Sequence, residues 1–242
     1  MKSQNRTKRI VFSIGSKGGT GKSTFVLALA DWLLSQNTQC VLLDLDIENK
    51  VKGSLKHFYP QAPKIDVHTP SGLDAFIDYL DGDCSVLLAD MGASQGQVAF
   101  GWFDAMYESV AGLGISFTAI GLVTDDPASV DGLLSWAAAL QHRVEYLVVE
   151  NSISAFCNFV YWRESEQASR FREIFNPSVI PMRFRVPELE AGCRNHGVTL
   201  GQVASRQTSV SELQKTSLVL RAQSYRNELF NSIEEVRQVI LP

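Results

Sequence analysis

Short apolar runs alternate along this chain with longer stretches of helical spacing. Ile10–Ile14, Cys40–Leu43, Ser85–Ala89, Phe117–Val123 and Glu145–Glu150 are of strand length and largely apolar, the pattern of strands covered on both faces. Ser178–Pro181 reads as a last strand and Ile65–His68 as a further short one, so the sheet is expected to have about seven strands. Between them Phe25–Leu34, Gly72–Leu80, Pro127 to about His142, and Phe159–Phe175 carry helical periodicity. The first of these helices is apolar on nearly every side, which predicts burial. Asp126 can cap the third, and Pro127 suits its first position. Strands alternating with helices predict an α/β fold, a doubly wound and mainly parallel sheet with helices on both faces.

Residues 209–240 read as mostly helix. Leu218, Tyr225, Leu229, Ile233, Val236 and Ile240 recur there at a spacing that packs one side. No low-complexity tract, repeat or long Pro/Gly linker divides the chain. Residues 1–242 are therefore expected to form a single domain, with 209–240 a C-terminal helical segment packed on it.

Composition narrows the class. With 242 residues, 45% of them hydrophobic, the chain can bury a full core. No stretch approaches the ~20 apolar residues of a membrane-spanning helix. Met1 to Arg9 is polar and basic and leads straight into a strand, unlike a signal peptide, so a cytoplasmic location is expected. Cys40, Cys84, Cys157 and Cys193 lie far apart, which fits reduced thiols and argues against a cysteine-held iron–sulfur cluster. His57, His68, His142 and His196 are scattered, and no zinc site is expected. A net charge of −4 gives no support to strong DNA affinity. Two local patches keep non-specific DNA open as a partner. One is a basic arm of Lys2, Arg6, Lys8 and Arg9. The other is a looser group of Arg163, Arg170, Arg172, Arg183, Arg185 and Arg194, diluted by glutamates.

The chemistry is concentrated after the first strand, where Gly15-Ser16-Lys17-Gly18-Gly19-Thr20-Gly21-Lys22-Ser23-Thr24 leads into a helix. Glycine, four residues, then Gly-Lys-Ser is a phosphate-binding loop, and strand–loop–helix is the context that confirms it. Gly18, Gly19, Thr20, Gly21, Lys22, Ser23 and Thr24 are the nucleotide-binding candidates. Their backbone N–H groups can turn inward toward phosphate at the positive end of the helix. Lys22 is placed to reach the β- and γ-phosphates, and the Ser23 hydroxyl to bind Mg²⁺. Asp44 and Asp46 share one side at the end of the second strand. Asp90 ends four apolar residues, the Walker B arrangement in which a carboxylate holds Mg²⁺.

Lys17 is one lysine more than such a loop requires. Lys-Gly-Gly-x-Gly-Lys-Ser resembles the deviant Walker A loop of the ParA/MinD family of ATPases. The motif order resembles that family from Arg9 to about Pro181. The resemblance implies a P-loop NTPase fold and Mg²⁺-dependent ATP hydrolysis, in a homodimer formed on ATP binding. In that dimer Lys17 crosses to the partner's nucleotide, Asp46 positions the attacking water and Asp44 lies near the Mg²⁺ shell. Asn151 reads the adenine edge, and Pro181 lies next to the ring. Asp90-Met91-Gly92-Ala93-Ser94 is similar to the StbB and TraL types linked to plasmid stability and conjugative transfer, and Asp46-Ile47-Glu48-Asn49 points the same way. The role implied is a switch in plasmid or chromosome partition or conjugative transfer, stimulated by an accessory protein. Two alternatives stay open, a MinD-type positioning ATPase on the membrane and an ATP-dependent biosynthetic ligase of the same superfamily. The membrane reading is disfavoured because Glu228, Glu234 and Glu235 offset Arg221, Arg226 and Arg237. Intact Asp46 and Asp90 argue against a protein that binds nucleotide without hydrolysing it.

Overall fold

The computed structural model describes residues 7–47, 52–93 and 96–242. Six strands, β1 (Lys8–Ile14), β2 (Cys40–Asp44), β3 (Val86–Asp90), β4 (Ile115–Val123), β5 (Glu145–Asn151) and β6 (Ser178–Met182), form one sheet in the order β2-β3-β1-β4-β5-β6. Every neighbouring pair is parallel. The order reverses beside β1, so the loop leaving β1 opens at the switch point where doubly wound sheets take ligands.

Alternation along the strands divides the core in two. Ile10, Phe12 and Ile14 face one layer, built from α4 (Gly96–Gly112), α5 (Pro127–Leu140) and α7 (Glu166–Phe175). Phe12 lies between Phe103 and Trp136 there, each with its ring centre 6.4 Å away. Val11 faces the opposite layer with α1 (Lys22–Ser35) and α10 (Thr216–Glu235). Leu229, Ile233, Val236 and Ile240 are buried in that layer, while Leu218 and Tyr225 pack on a smaller cluster with Leu189, Val203 and Leu213.

Two expectations are corrected. Residues 65–68 form no strand, and only a single bridge joins Lys64 to Asp44. The Asp66 carboxylate accepts the His68 N–H and its carbonyl accepts the Thr69 hydroxyl, turning the chain into α3 (Pro70–Asp78). The sheet thus has six strands among the described residues rather than about seven. Phe159–Phe175 is not one helix either. It breaks at Ser165, whose hydroxyl caps α7 by accepting the Ala168 N–H, after the short α6 (Val160–Glu164).

The basic arm also resolves differently. Arg9 is almost fully buried, and one guanidinium nitrogen donates to Thr118 Oγ1 at 2.8 Å, Glu145 Oε2 at 2.6 Å and the Val239 carbonyl at 3.1 Å. It ties β1 to β4, β5 and the residues beyond α10. Lys8 donates to the carbonyls of Leu80 and Gly82, and Lys2 and Arg6 lie outside the described residues. In the second basic group, Arg163, Arg170, Arg183, Arg185 and Arg194 each pair with a glutamate. All four cysteines are free thiols, and among the described residues no helix is long and apolar enough to cross a membrane.

Arg9→Met should lower unfolding stability by roughly 2–4 kcal/mol, since it strips several buried acceptors of one donor. Arg170→Met, at an exposed pair, should stay within about 0.5 kcal/mol. Equal effects in urea titrations of the two variants would contradict the buried anchor.

Candidate functional site: a phosphate-binding loop at the carboxyl edge of the sheet

The loop between β1 and α1 owes its shape to glycine. Gly21 has φ 94°, and a Cβ there would sit 2.4 Å from Asn151 Nδ2, so a side chain is excluded by backbone and by space. That amide nitrogen donates to the Thr20 carbonyl at 2.7 Å, locking the loop to the end of β5. Helix α1 then starts with no side-chain cap and no acidic residue in its first turn. Its first N–H groups remain available to an anion, at the end where the helix dipole favours one.

A cleft of about 500 Å³ opens at this edge, lined by Gly18, Gly19, Gly21, Lys22, Ser23 and Thr24 of the loop. Lys22 is buried, and its ammonium donates to the Lys17 carbonyl at 3.0 Å. Burial lowers its pKa, while Asp90 and Asp46 act to raise it. Asp90 is fully buried. Its Oδ1 accepts the Ser13 hydroxyl at 3.1 Å, and that hydroxyl accepts the Met91 N–H at 2.9 Å. Burial pushes the Asp90 carboxyl up to about 6, with the Ser23 and Ser13 hydroxyls pulling the other way. Asp90 Oδ2 is buried with no hydrogen-bond partner. An orphaned carboxylate oxygen beside a serine hydroxyl fits a hard divalent cation such as Mg²⁺, which favours oxygen ligands and keeps several waters. Among the described residues no group of three or more His, Cys, Asp or Glu could hold a metal. The remaining ligands at such a site would be phosphate and water oxygens.

Asp46 lines the cleft. Its Oδ1 would lie 2.9 Å from a Cβ at residue 92, so Gly92 is what admits the carboxylate. Asp44 does not line the cleft. It is fully buried and already engaged, accepting the Ser54 hydroxyl at 2.6 Å, the Lys56 N–H at 3.0 Å and the Asp46 N–H at 3.1 Å. Lys64 stands 3.9 Å away. The donors organise Asp44 to fix the backbone that carries Asp46. Glu48, Asn49 and Ser94 lie outside the described residues.

The two base-contact candidates lie at the end of β5 and in β6. Asn151 is buried behind the loop and spends its amide on Thr20. Pro181 borders a separate depression with Arg183, Tyr225 and Glu228. The cleft instead continues past Thr24 to α8 (Pro187–His196), with Arg185, Leu189, Glu190, Cys193 and Arg194 on its wall, and to Phe58 and Leu200. Thr24 donates to Glu190 at 3.3 Å, and Glu190 pairs with Arg185 at 3.1 Å. The signal for α8 lies in the sequence, with proline at the first helical position and Gly197 just past the last. Lys17 stands apart from the cleft wall, its ammonium 3.1 Å from Asp126 Oδ2. Asp126 also caps α5, accepting the Ala128 N–H at 2.9 Å.

Residues 11–198 match the family described as the CobQ/CobB/MinD/ParA nucleotide binding domain, which covers most of the chain and all of the loop. The chain belongs to this nucleotide-binding family. A search of curated proteins finds no match. Among solved structures, a chain of the MinC:MinD cell division protein complex of Aquifex aeolicus is similar, at 14% identity and a TM-score of 0.53 over 97% of this chain and 98% of that one. The MinD cell division protein of the same organism gives 14% and 0.51 over the same shares. A nucleotide-binding protein from Archaeoglobus fulgidus, in complex with ADP, gives 16% and 0.51 over 79% of this chain and 86% of that one. At such identities these likenesses speak for the fold, the P-loop NTPase sheet of MinD-like members of the CobQ/CobB/MinD/ParA family.

The Asp90 carboxylate makes a signed prediction. Its pKa is raised in the folded protein, so the charged form costs stability above about pH 6, and the cost fades as pH falls toward the ordinary value near 4. In the nucleotide-free protein, Asp90→Asn should therefore be the more stable form at pH 7.5, by roughly 1–3 kcal/mol. Its advantage should shrink between pH 6 and 4. A difference independent of pH in paired denaturation curves would contradict the buried, destabilised carboxylate.

Proposed function

We propose that this chain is a Mg²⁺-dependent ATP hydrolase that acts as an ATP-driven dimerisation switch in plasmid or chromosome partition or conjugative DNA transfer. The observation that carries this reading is the different placement of two lysines in one loop. Lys22 is buried in the cleft. Lys17 is 47% exposed, does not line the cleft and pairs among the described residues with an exposed carboxylate. A cation that its own cleft does not use is free to serve another molecule, and a second copy of the chain offers a cleft suited to it.

In this reading the triphosphate lies against the N–H groups of residues 18–24. Lys22 moves from the Lys17 carbonyl to the phosphate oxygens. Ser23 and Asp90 would hold Mg²⁺, whose contribution would be positive charge toward the phosphate oxygens. Asp46 accepts a hydrogen bond from water and aims its oxygen at the γ-phosphorus, and Asp44 keeps that carboxylate in place through the Asp46 N–H. As the new P–O bond forms, the bond to the β–γ bridging oxygen breaks. Lys22 and the second copy's Lys17 meet the charge that develops there. The loops after β2 and β3 carry Asp46 and Gly92, so nucleotide state is communicated through them. An accessory protein acts by completing or aligning this two-chain site. The Asp90–Ser94 sequence supports the plasmid and transfer branch. Burial of Leu229, Ile233, Val236 and Ile240 speaks against a membrane-binding tail.

Two measurements test the reading. Specific ATPase activity should rise with protein concentration. Lys17→Ala should still bind ATP yet turn over roughly 10³-fold more slowly, while Lys22→Ala should lose binding itself. Concentration-independent turnover unaffected by Lys17→Ala would end the switch hypothesis. Separately, Asp46→Ala should bind unrelated DNA duplexes with Mg-ATP and not with Mg-ADP, more weakly as salt rises. Failure to bind while ATP is held would exclude direct DNA tethering and shift the search to protein cargo.

A further inference from the structure

Because the strands are all parallel, the connections leaving β1, β4 and β5 emerge at one edge. The connection after β5 exposes three large apolar side chains within eight residues. Ile153, Phe156 and Val160 are 50%, 90% and 47% exposed. Phe156 is the most exposed large apolar side chain among the described residues, ahead of Leu113 at 69% and Leu220 at 58%.

This segment is held firmly. Asp125 Oδ1 accepts the N–H groups of Asn158 and Phe159, both at 2.9 Å. Phe159 is buried in the left-handed region at φ 55°, with the Arg163 guanidinium 5.3 Å over its ring. The Cys157 thiol and the two N–H groups hold the Asp125 carboxyl below its ordinary range. A side chain presented on an ordered backbone costs less entropy to bury in an interface. The next residue, Asp126, is the one that holds Lys17. Adjacent carboxylates thus fasten the backbone of residues 158–159, two residues beyond the exposed Phe156, and the surplus lysine to one short connection.

We propose that residues 153–160 form the apolar centre of an interface between two copies of this chain, with Phe156 as its anchor and Lys17 released from Asp126 as the interface closes. This rests on the dimerisation reading above and adds the surface that drives it. The charges favour a second copy over an unrelated partner. A twofold interface must be complementary to itself, and a surface bearing both an exposed cation and an exposed anion beside an apolar patch meets that condition. Breaking the exposed Lys17–Asp126 pair costs little. A central aromatic, by contrast, is the residue type that commonly carries an interface.

The test uses the full chain with Asp46→Ala, in Mg-ATP, by sedimentation across concentration. Phe156→Asp added to this background should weaken dimerisation about 30-fold or more, leave affinity for a fluorescent ATP analogue unchanged at protein concentrations where both proteins are monomeric, and be largely rescued by Phe156→Leu. Circular dichroism checks that the fold is retained. If the Asp46→Ala parent dimerises and Phe156→Asp dimerises equally well, the anchor proposal is overturned while the switch stands. If the parent stays monomeric at every concentration, the dimer reading fails and takes the proposal with it.

Discussion

A helix that begins inside a protein with no side chain to cap it leaves backbone donors that must be met from outside. Helix α1 is such a helix, and the neighbouring structure is arranged around that deficit. Its sides are buried by Phe25, Leu29, Trp32 and Leu33, so it cannot turn away to solvate its first turn. Glycine at the entrance removes the side chain that would fill the space, and Asn151 secures the loop from behind. An anion-binding site follows from packing as much as from the residues that touch the anion.

Buried charge is arranged around the same point. Lys22 and Asp90 are both shifted toward their neutral forms by loss of water. In the function proposed above, each gains its natural counterpart when a negatively charged ligand and a divalent cation arrive together. Asp44 shows the complementary case, a buried carboxylate supplied with donors by its own chain. Two aspartates separated by Leu45 thus differ in surroundings.

This contrast marks the limit of what the chain revealed in one dimension. The phosphate loop, the strand ending in Asp90 and five further strands were legible because each has a local signature of spacing or apolar run. Asp44 and Asp46 share a side by strand alternation, but the strand stops at Asp44, and the turn after it sends the two carboxylates to different partners. Residues 65–68 have strand-like composition, yet a side-chain-stabilised turn at Asp66 overrides it. The far wall of the cleft comes from α8, more than 160 residues beyond the loop, and no local pattern announces such a meeting. Arg9 looked like part of a surface arm because its burial depends on three distant segments.

That last arrangement bears on how the protein is made. Strand β1 lies inside the sheet and is synthesised first, but its arginine reaches a carbonyl at residue 239. A ribosome emits the chain in order, so an emerging β1 carries a charged side chain whose buried setting does not yet exist. The first strands can gather around it only with Arg9 still hydrated. Completion of the innermost layer waits for the arrival of the distal turn. The fold is therefore closed by a contact between chain regions born far apart in time, and partial chains lacking that turn are natural substrates for chaperones.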